Sequence, residues 1–112
     1  MSDDPQLSTA ARREIDRADL VYVSAATIWE ISIKAALGRL EIDLDVLTRQ
    51  LGEAGFEELA VRWGHGRAVR DLPPHHRDPF DRLLIAQAMS EPLRLLTHDK
   101  LLERYTDLVI VV

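Results

Sequence analysis

Short apolar runs alternate along the chain with longer segments that have the length and composition of helices. Four runs rich in strand-forming residues predict strands near residues 20–24, 56–61, 93–97 and 108–112, and the first of these is expected to be buried. Helices are predicted at 8–17, 25–38, 45–54, 62–71 and 79–90, and a short helix or turn at 98–105. Strands that alternate with helices predict an α/β fold, in which a central parallel sheet is flanked by helices.

Composition narrows the class of protein. The 112 residues, 46% hydrophobic and 29% charged, are typical of one globular domain spanning 1–112. The chain has no cysteine, which excludes disulfides and thiolate metal sites. We see no signal peptide and no apolar run long enough to span a membrane, so we expect a cytoplasmic protein without a membrane partner.

The net charge of -5 argues mildly against non-specific affinity for nucleic acids. The charges are unevenly distributed, however. Residues 62–82 contain five arginines and three histidines against three aspartates, so this region is locally basic. For any single arginine, a solvated surface position is the simpler interpretation.

Glu30 interrupts the apolar helix AATIWEISIKAALG. An ion pair with Lys34 one turn later would stabilise an exposed helix by only about 0.3–0.5 kcal/mol. We expect this helix to be buried on most sides, where a lone carboxylate costs several kcal/mol unless it is paired or binds a metal. The pattern therefore slightly favours a functional role for Glu30.

Asp78 and Asp81 begin the last long helix, in the stretch HHRDPFDRLLIAQA. Asp78 has the position of an N-cap before Pro79, which explains it without any function. Asp81 instead heads the stripe formed by Leu84, Ile85 and Ala88, where an apolar residue would pack better. Asp81 is therefore the stronger candidate for a functional acid.

Asp99 follows the third predicted strand directly, in the sequence LLTHD. As a lone residue it would more often cap the next turn, but active sites of parallel sheets gather at the carboxyl ends of strands. We expect Glu30, Asp81 and Asp99 to converge on one solvent-accessible site. Two carboxylates about 5 Å apart repel by roughly 3 kcal/mol at an effective dielectric near 20, and an all-oxygen cluster favours Mg²⁺ or Mn²⁺ over Zn²⁺.

The histidines are weaker candidates. His75 and His76 are adjacent, which is a poor spacing for one metal ion, and their position predicts a loop. The Gly64-His65-Gly66 sequence lacks the third glycine of a dinucleotide-binding fingerprint.

Three stretches together resemble the PIN-domain toxins of the VapC family, which belong to bacterial type II toxin–antitoxin pairs. These are VYVSAATIWEISIKAALGRLEI, HRDPFDRLLIAQA and LLTHDKLLERY, in the expected order over nearly the whole chain. The resemblance implies a PIN-like three-layer fold and metal-dependent cleavage of RNA phosphodiester bonds. It also implies a cognate antitoxin as partner and a homodimer or toxin–antitoxin hetero-oligomer.

By this resemblance, Glu30, Asp81 and Asp99 are expected to be the catalytic acids that bind the metal ion. Ser24 and Thr97 would be hydroxyls near the site, and Asp78 would be auxiliary. Lys34, Arg77 and Arg82 are weaker candidates for contacts with the substrate.

The sequence departs from the family pattern at its start. The family begins with an apolar strand that ends in an aspartate and lies in the middle of the sheet, whereas here Met1 is followed by SDDPQLS. We expect a chain without that strand and acid to have unpaired strand edges and impaired activity. Asp3 and Asp4 are not expected to replace the acid.

The sequence is compatible with two functions from different classes. The first is a toxin-type endoribonuclease. The second is a non-catalytic remnant that binds an antitoxin or a sister toxin. A generic α/β binding module is a weaker third interpretation, because it leaves the buried acids unexplained.

Overall fold

A computed structural model describes residues 8–112 of the chain. The helices are α1 (Thr9–Arg17), α2 (Ala25–Ala36), α3 (Leu44–Glu53), α4 (Trp63–Val69) and α5 (Pro79–Ser90), with a 3₁₀ helix over Lys100–Arg104. The strands are β1 (Tyr22–Ser24), β2 (Glu57–Leu59), β3 (Leu95–Thr97) and β4 (Val109–Val111). Every predicted strand and helix is present, although the strands are shorter than predicted.

The helix ends follow from local chemistry. Ser8 caps α1 by accepting a hydrogen bond from the amide of Ala11. Gly38 follows α2 with a φ of 73°, a left-handed conformation in which glycine carries no steric penalty. Pro79 occupies the first turn of α5, where its missing amide hydrogen would have no partner in the helix.

All of the strand pairing is parallel, as predicted, but it forms two separate pairs. β1 pairs with β2, and β3 pairs with β4. Between residues 8 and 112 no ladder of hydrogen bonds joins the two pairs into one sheet. A groove of about 600 Å³ lies between them, lined by residues 20–24 on one side and 93–96 on the other.

Helix α5 connects the two halves of the fold. It contacts α4 and α2, and it also packs against β3. Ile85 on α5 is fully buried and forms the core with Leu102 and Val109. Because Asp81 lies in the first turn of α5 and the helix continues into the core, the packing of α5 determines where Asp81 points.

Two predictions of burial were wrong. We expected α2 to be buried on most sides, but Trp29, Ile33 and Leu37 are exposed along one stripe. The first strand was expected to be buried, yet Tyr22 is 40% exposed. An apolar sequence shows what a segment can bury, whereas the number of covered faces depends on its neighbours.

None of the helices within residues 8–112 has the length and apolar character that would be needed to cross a membrane.

Candidate metal centre

Asp81 lies in the first turn of α5, and its side chain is largely buried, with 14% exposed. Asp78 caps this helix, because its carboxylate accepts hydrogen bonds from the amides of Phe80 and Asp81 at 2.8 and 3.4 Å. Ile85, one turn further along, and Ala88, two turns further along, are buried. The cap and the buried residues of α5 together fix the position of the Asp81 side chain.

Asp99 follows β3 and caps the 3₁₀ helix. Its Oδ1 accepts from the amide of Leu101 at 2.9 Å, and its own amide donates to the Thr97 hydroxyl at 3.0 Å. Its side chain is 40% exposed. The simple explanation of Asp99 as a cap is therefore correct, but it accounts for only one of the two carboxylate oxygens.

The second oxygen of Asp99 contacts His76, in the loop before α5. His76 Nε2 lies 2.7 Å from Asp99 Oδ2 and 3.5 Å from Asp81 Oδ2. One potential ligand atom from each of these three residues lies within 4.8 Å of the other two. We refer to His76, Asp81 and Asp99 as the HDD cluster.

Glu30 is buried in the second turn of α2, with 8% exposed, and it stands outside the HDD cluster of the described residues. Burial raises the pKa of Glu30, and the charge of Lys34 partly offsets that rise. The charge of Asp81 also acts on Glu30. Glu30 therefore interacts electrostatically with the HDD cluster, although it is not one of its three residues.

The two aspartates of the cluster respond to their surroundings in opposite directions. Burial raises the pKa of Asp81, and the negative charge of Asp78 raises it further. The hydrogen bond from His76 lowers the pKa of Asp99. The surroundings of Asp81 therefore disfavour its ionised form. A cation close to Asp81 would stabilise the ionised carboxylate.

This donor set fits a hard divalent cation. Two carboxylates at single-ion spacing, partly open to solvent, can provide the one or two protein ligands that Mg²⁺ usually takes while water fills the remaining positions. Manganese accepts the same ligands and tolerates imidazole as well.

A family model for the PIN domain matches residues 1–108 of the sequence. The chain therefore belongs to the PIN-domain family. No curated protein and no solved structure matches it significantly. PIN domains have a nuclease-type fold and are generally metal-dependent nucleases. This membership agrees with the parallel strands and with the pair of acids at the carboxyl end of β3 and the start of α5.

Of the three acids expected in this PIN domain, the structure brings Asp81 and Asp99 together and places Glu30 further out. The assignment of all three as metal ligands stays a prediction. Asp3 and Asp4 lie outside the described residues.

The two hydroxyls have structural contacts. Thr97 is buried and fixes the turn that presents Asp99. Ser24 caps α2 through the amide of Ala26, and its hydroxyl donates to Gln87 Oε1 at 2.6 Å. Gln87 lies six positions after Asp81 on α5, so Ser24 supports the helix that carries the acid.

The three basic candidates differ in their surroundings. Arg77 is exposed and follows His76 in the sequence, and Lys34 lies one turn after Glu30. The guanidinium of Arg82 donates to the Tyr105 hydroxyl and to three backbone carbonyls, those of Val69, Leu72 and Pro73. These contacts identify Arg82 as the residue that holds the loop before α5, while its contact with substrate stays a prediction.

His76 is the residue that sequence reasoning missed. Adjacency to His75 suggested a loop without a metal-binding role. His75 instead packs its ring against Tyr105, with centroids 5.1 Å apart, and the next residue points at the acids. The usable signal was the spacing His76-x-Asp78-x-x-Asp81, which places a histidine just before a capped helix with an acid in its first turn.

Proposed function

We propose that this PIN domain is a Mg²⁺- or Mn²⁺-dependent endoribonuclease that acts as the toxin of a type II toxin–antitoxin pair. One observation supports the nuclease part of the proposal, namely that carboxylate oxygens of Asp81 and Asp99 lie within 4.8 Å of each other, next to His76. The toxin part rests on the resemblance of the three sequence stretches to the VapC family.

The roles of the chain's own residues follow from their positions. Asp81 and Asp99 would hold the ion, and buried Glu30 would add negative charge next to it. The ion, when bound, lowers the pKa of a coordinated water and stabilises charge on the scissile phosphate. Arg77 is exposed and follows His76 in the sequence, and it would attract the RNA backbone.

The cleavage experiment compares the purified 112-residue protein with its Asp81→Asn and Asp107→Asn variants. Asp107 is exposed and serves as the matched control. We expect weak cleavage of structured RNA in Mg²⁺, no cleavage in a chelator, and a further loss in Asp81→Asn but not in Asp107→Asn. Cleavage that Asp81→Asn leaves unchanged would refute the metal assignment.

The toxin role requires a separate test in cells. Expression of the chain in bacteria should arrest growth, and co-expression of a small open reading frame adjacent to its gene should restore growth. Growth arrest that persists in Asp81→Asn would separate toxicity from cleavage and would favour the non-catalytic alternative.

A further inference from the structure

We infer that His76 is a positioning residue of this metal centre, which holds Asp99 at single-ion spacing from Asp81 through its Nε2–H and does not itself coordinate the ion. The inference rests on the metal part of the proposed function and deepens it. It concerns which atoms touch the ion and which atoms hold the ligands.

The hydrogen bonds of the imidazole determine its tautomer. The backbone amide of Asp78 lies 3.0 Å from His76 Nδ1, and an amide can only donate. Nδ1 is therefore an acceptor, and in the neutral ring the proton must be on Nε2. A nitrogen that carries a proton has no lone pair for a metal ion, so this pattern opposes direct coordination by Nε2.

The proton on Nε2 is directed at the carboxylate of Asp99, and the carboxylate of Asp81 lies beside it. Nε2 donates to Asp99 Oδ2 at 2.7 Å and lies 3.5 Å from Asp81 Oδ2. Asp99 already accepts from the Leu101 amide through its other oxygen. The carboxylate is thus held at both oxygens, and each of these still has a lone pair available for an ion.

His76 is itself held in place. Its backbone amide donates to the Tyr105 hydroxyl at 2.9 Å, and that hydroxyl also accepts from Arg82 at 3.2 Å. His76 is therefore attached to the 3₁₀-helix region through Tyr105 and to the start of α5 through Asp78. Such hydrogen bonds outside the ligand set typically contribute roughly 10- to 100-fold to metal affinity.

The experiment measures Mn²⁺ binding by calorimetry and by electron paramagnetic resonance in the full chain. The variants are His76→Ala, His76→Gln and His75→Ala. Glutamine has an N–H donor near the position of Nε2, so His76→Gln should restore most of the affinity that His76→Ala loses. His75 has no contact with the carboxylates among the described residues and is the matched control.

We expect His76→Ala to weaken Mn²⁺ binding by roughly 10- to 100-fold and His75→Ala to leave it unchanged. Circular dichroism establishes that each variant is folded before binding is compared. Pulsed resonance spectra of the wild type should show no nitrogen bound directly to Mn²⁺.

Three results would overturn the inference. These are directly bound nitrogen that disappears in His76→Ala, equal affinity in the wild type and His76→Ala, and a glutamine variant as weak as the alanine variant. RNA cleavage is measured in parallel. Mn²⁺ binding with the expected pattern but without cleavage in the wild type would defeat the proposed function and leave the positioning role intact.

Discussion

Two histidines of this protein make the same hydrogen bonds in very different places. His65 accepts from the Arg62 amide at Nδ1 and contacts Glu91 through Nε2, at 3.0 and 2.8 Å. His76 accepts from the Asp78 amide and contacts Asp99, at 3.0 and 2.7 Å. A histidine held between an amide and a carboxylate is therefore not by itself a sign of a functional site.

The difference lies in what surrounds the second contact. His65 is 3% exposed and lies against the amide of Gln87, whose other contacts are the Ser24 hydroxyl and the Ala60 carbonyl. This network joins α4, α5 and the strand pair of β1 and β2, and the imidazole of His65 contacts one carboxylate, that of Glu91. His76 instead lies next to a second carboxylate, that of Asp81, in a region reached by solvent. The second carboxylate, and the excess negative charge that it brings, therefore distinguishes the candidate site around His76 from the structural network around His65.

The largest effect should come from removing that second carboxylate. We expect Asp81→Asn to reduce RNA cleavage by at least about a hundredfold, because a direct ligand should matter more than the groups that orient it. The free energy of unfolding, measured in urea without metal, should not fall, since burial disfavours the Asp81 anion. If Asp81→Asn clearly lost stability as well as activity, Asp81 would have a structural role like that of His65, and the two regions would no longer differ.

At His65 we expect the opposite result, a loss of stability without a loss of cleavage. His65→Ala should lower the free energy of unfolding by about 2–3 kcal/mol, because it leaves buried polar groups without partners and opens a cavity. Cleavage per folded molecule should stay close to that of the wild type. The control is His98→Ala, an exposed histidine, for which we expect a change below about 0.5 kcal/mol.

Metal binding should stabilise only the protein with an intact cluster. At a Mn²⁺ concentration about 100 times the dissociation constant, the ion should add about 2.7 kcal/mol to the free energy of unfolding. This shift, seen as a rise in Tm, should persist in His65→Gln and disappear in Asp81→Asn. An equal shift in both variants would place the ion elsewhere.

The smallest effect is a pH dependence of stability measured in a chelator. The pKa of Asp81 is raised in the folded state, so its contribution is present at low pH and lost as the pH rises through the folded pKa. The pKa of Asp99 is lowered, so its contribution is present above the ordinary aspartate pKa of about 3.9 and lost as the pH falls through the folded value. Asp81→Asn and Asp99→Asn should therefore change the acid slope of Tm in opposite directions.

The sequence by itself determined the helices and strands and which of their positions are polar. Periodicity, the cap at Ser8, the glycine after α2 and the proline at the start of α5 act within a few residues, so helices and strands could be predicted from local chemistry. The candidate acids Asp81 and Asp99 were also predictable, because each stands where an element begins or ends and Asp81 in addition heads an apolar stripe, where an acid is costly to bury.

Only the tertiary structure decided which distant residues meet. The contact between His76 and Asp99 spans 23 positions, and that between Ser24 and Gln87 spans 63. No local pattern encodes such pairs, because they depend on how α5 packs across both strand pairs. The same packing left one stripe of α2 exposed, moved Glu30 to the margin of the cluster, and made one of two adjacent histidines the neighbour of both acids. The sequence specifies the groups and their local conformation, whereas the shared burial of Ile85, Leu102 and Val109 brings the groups together.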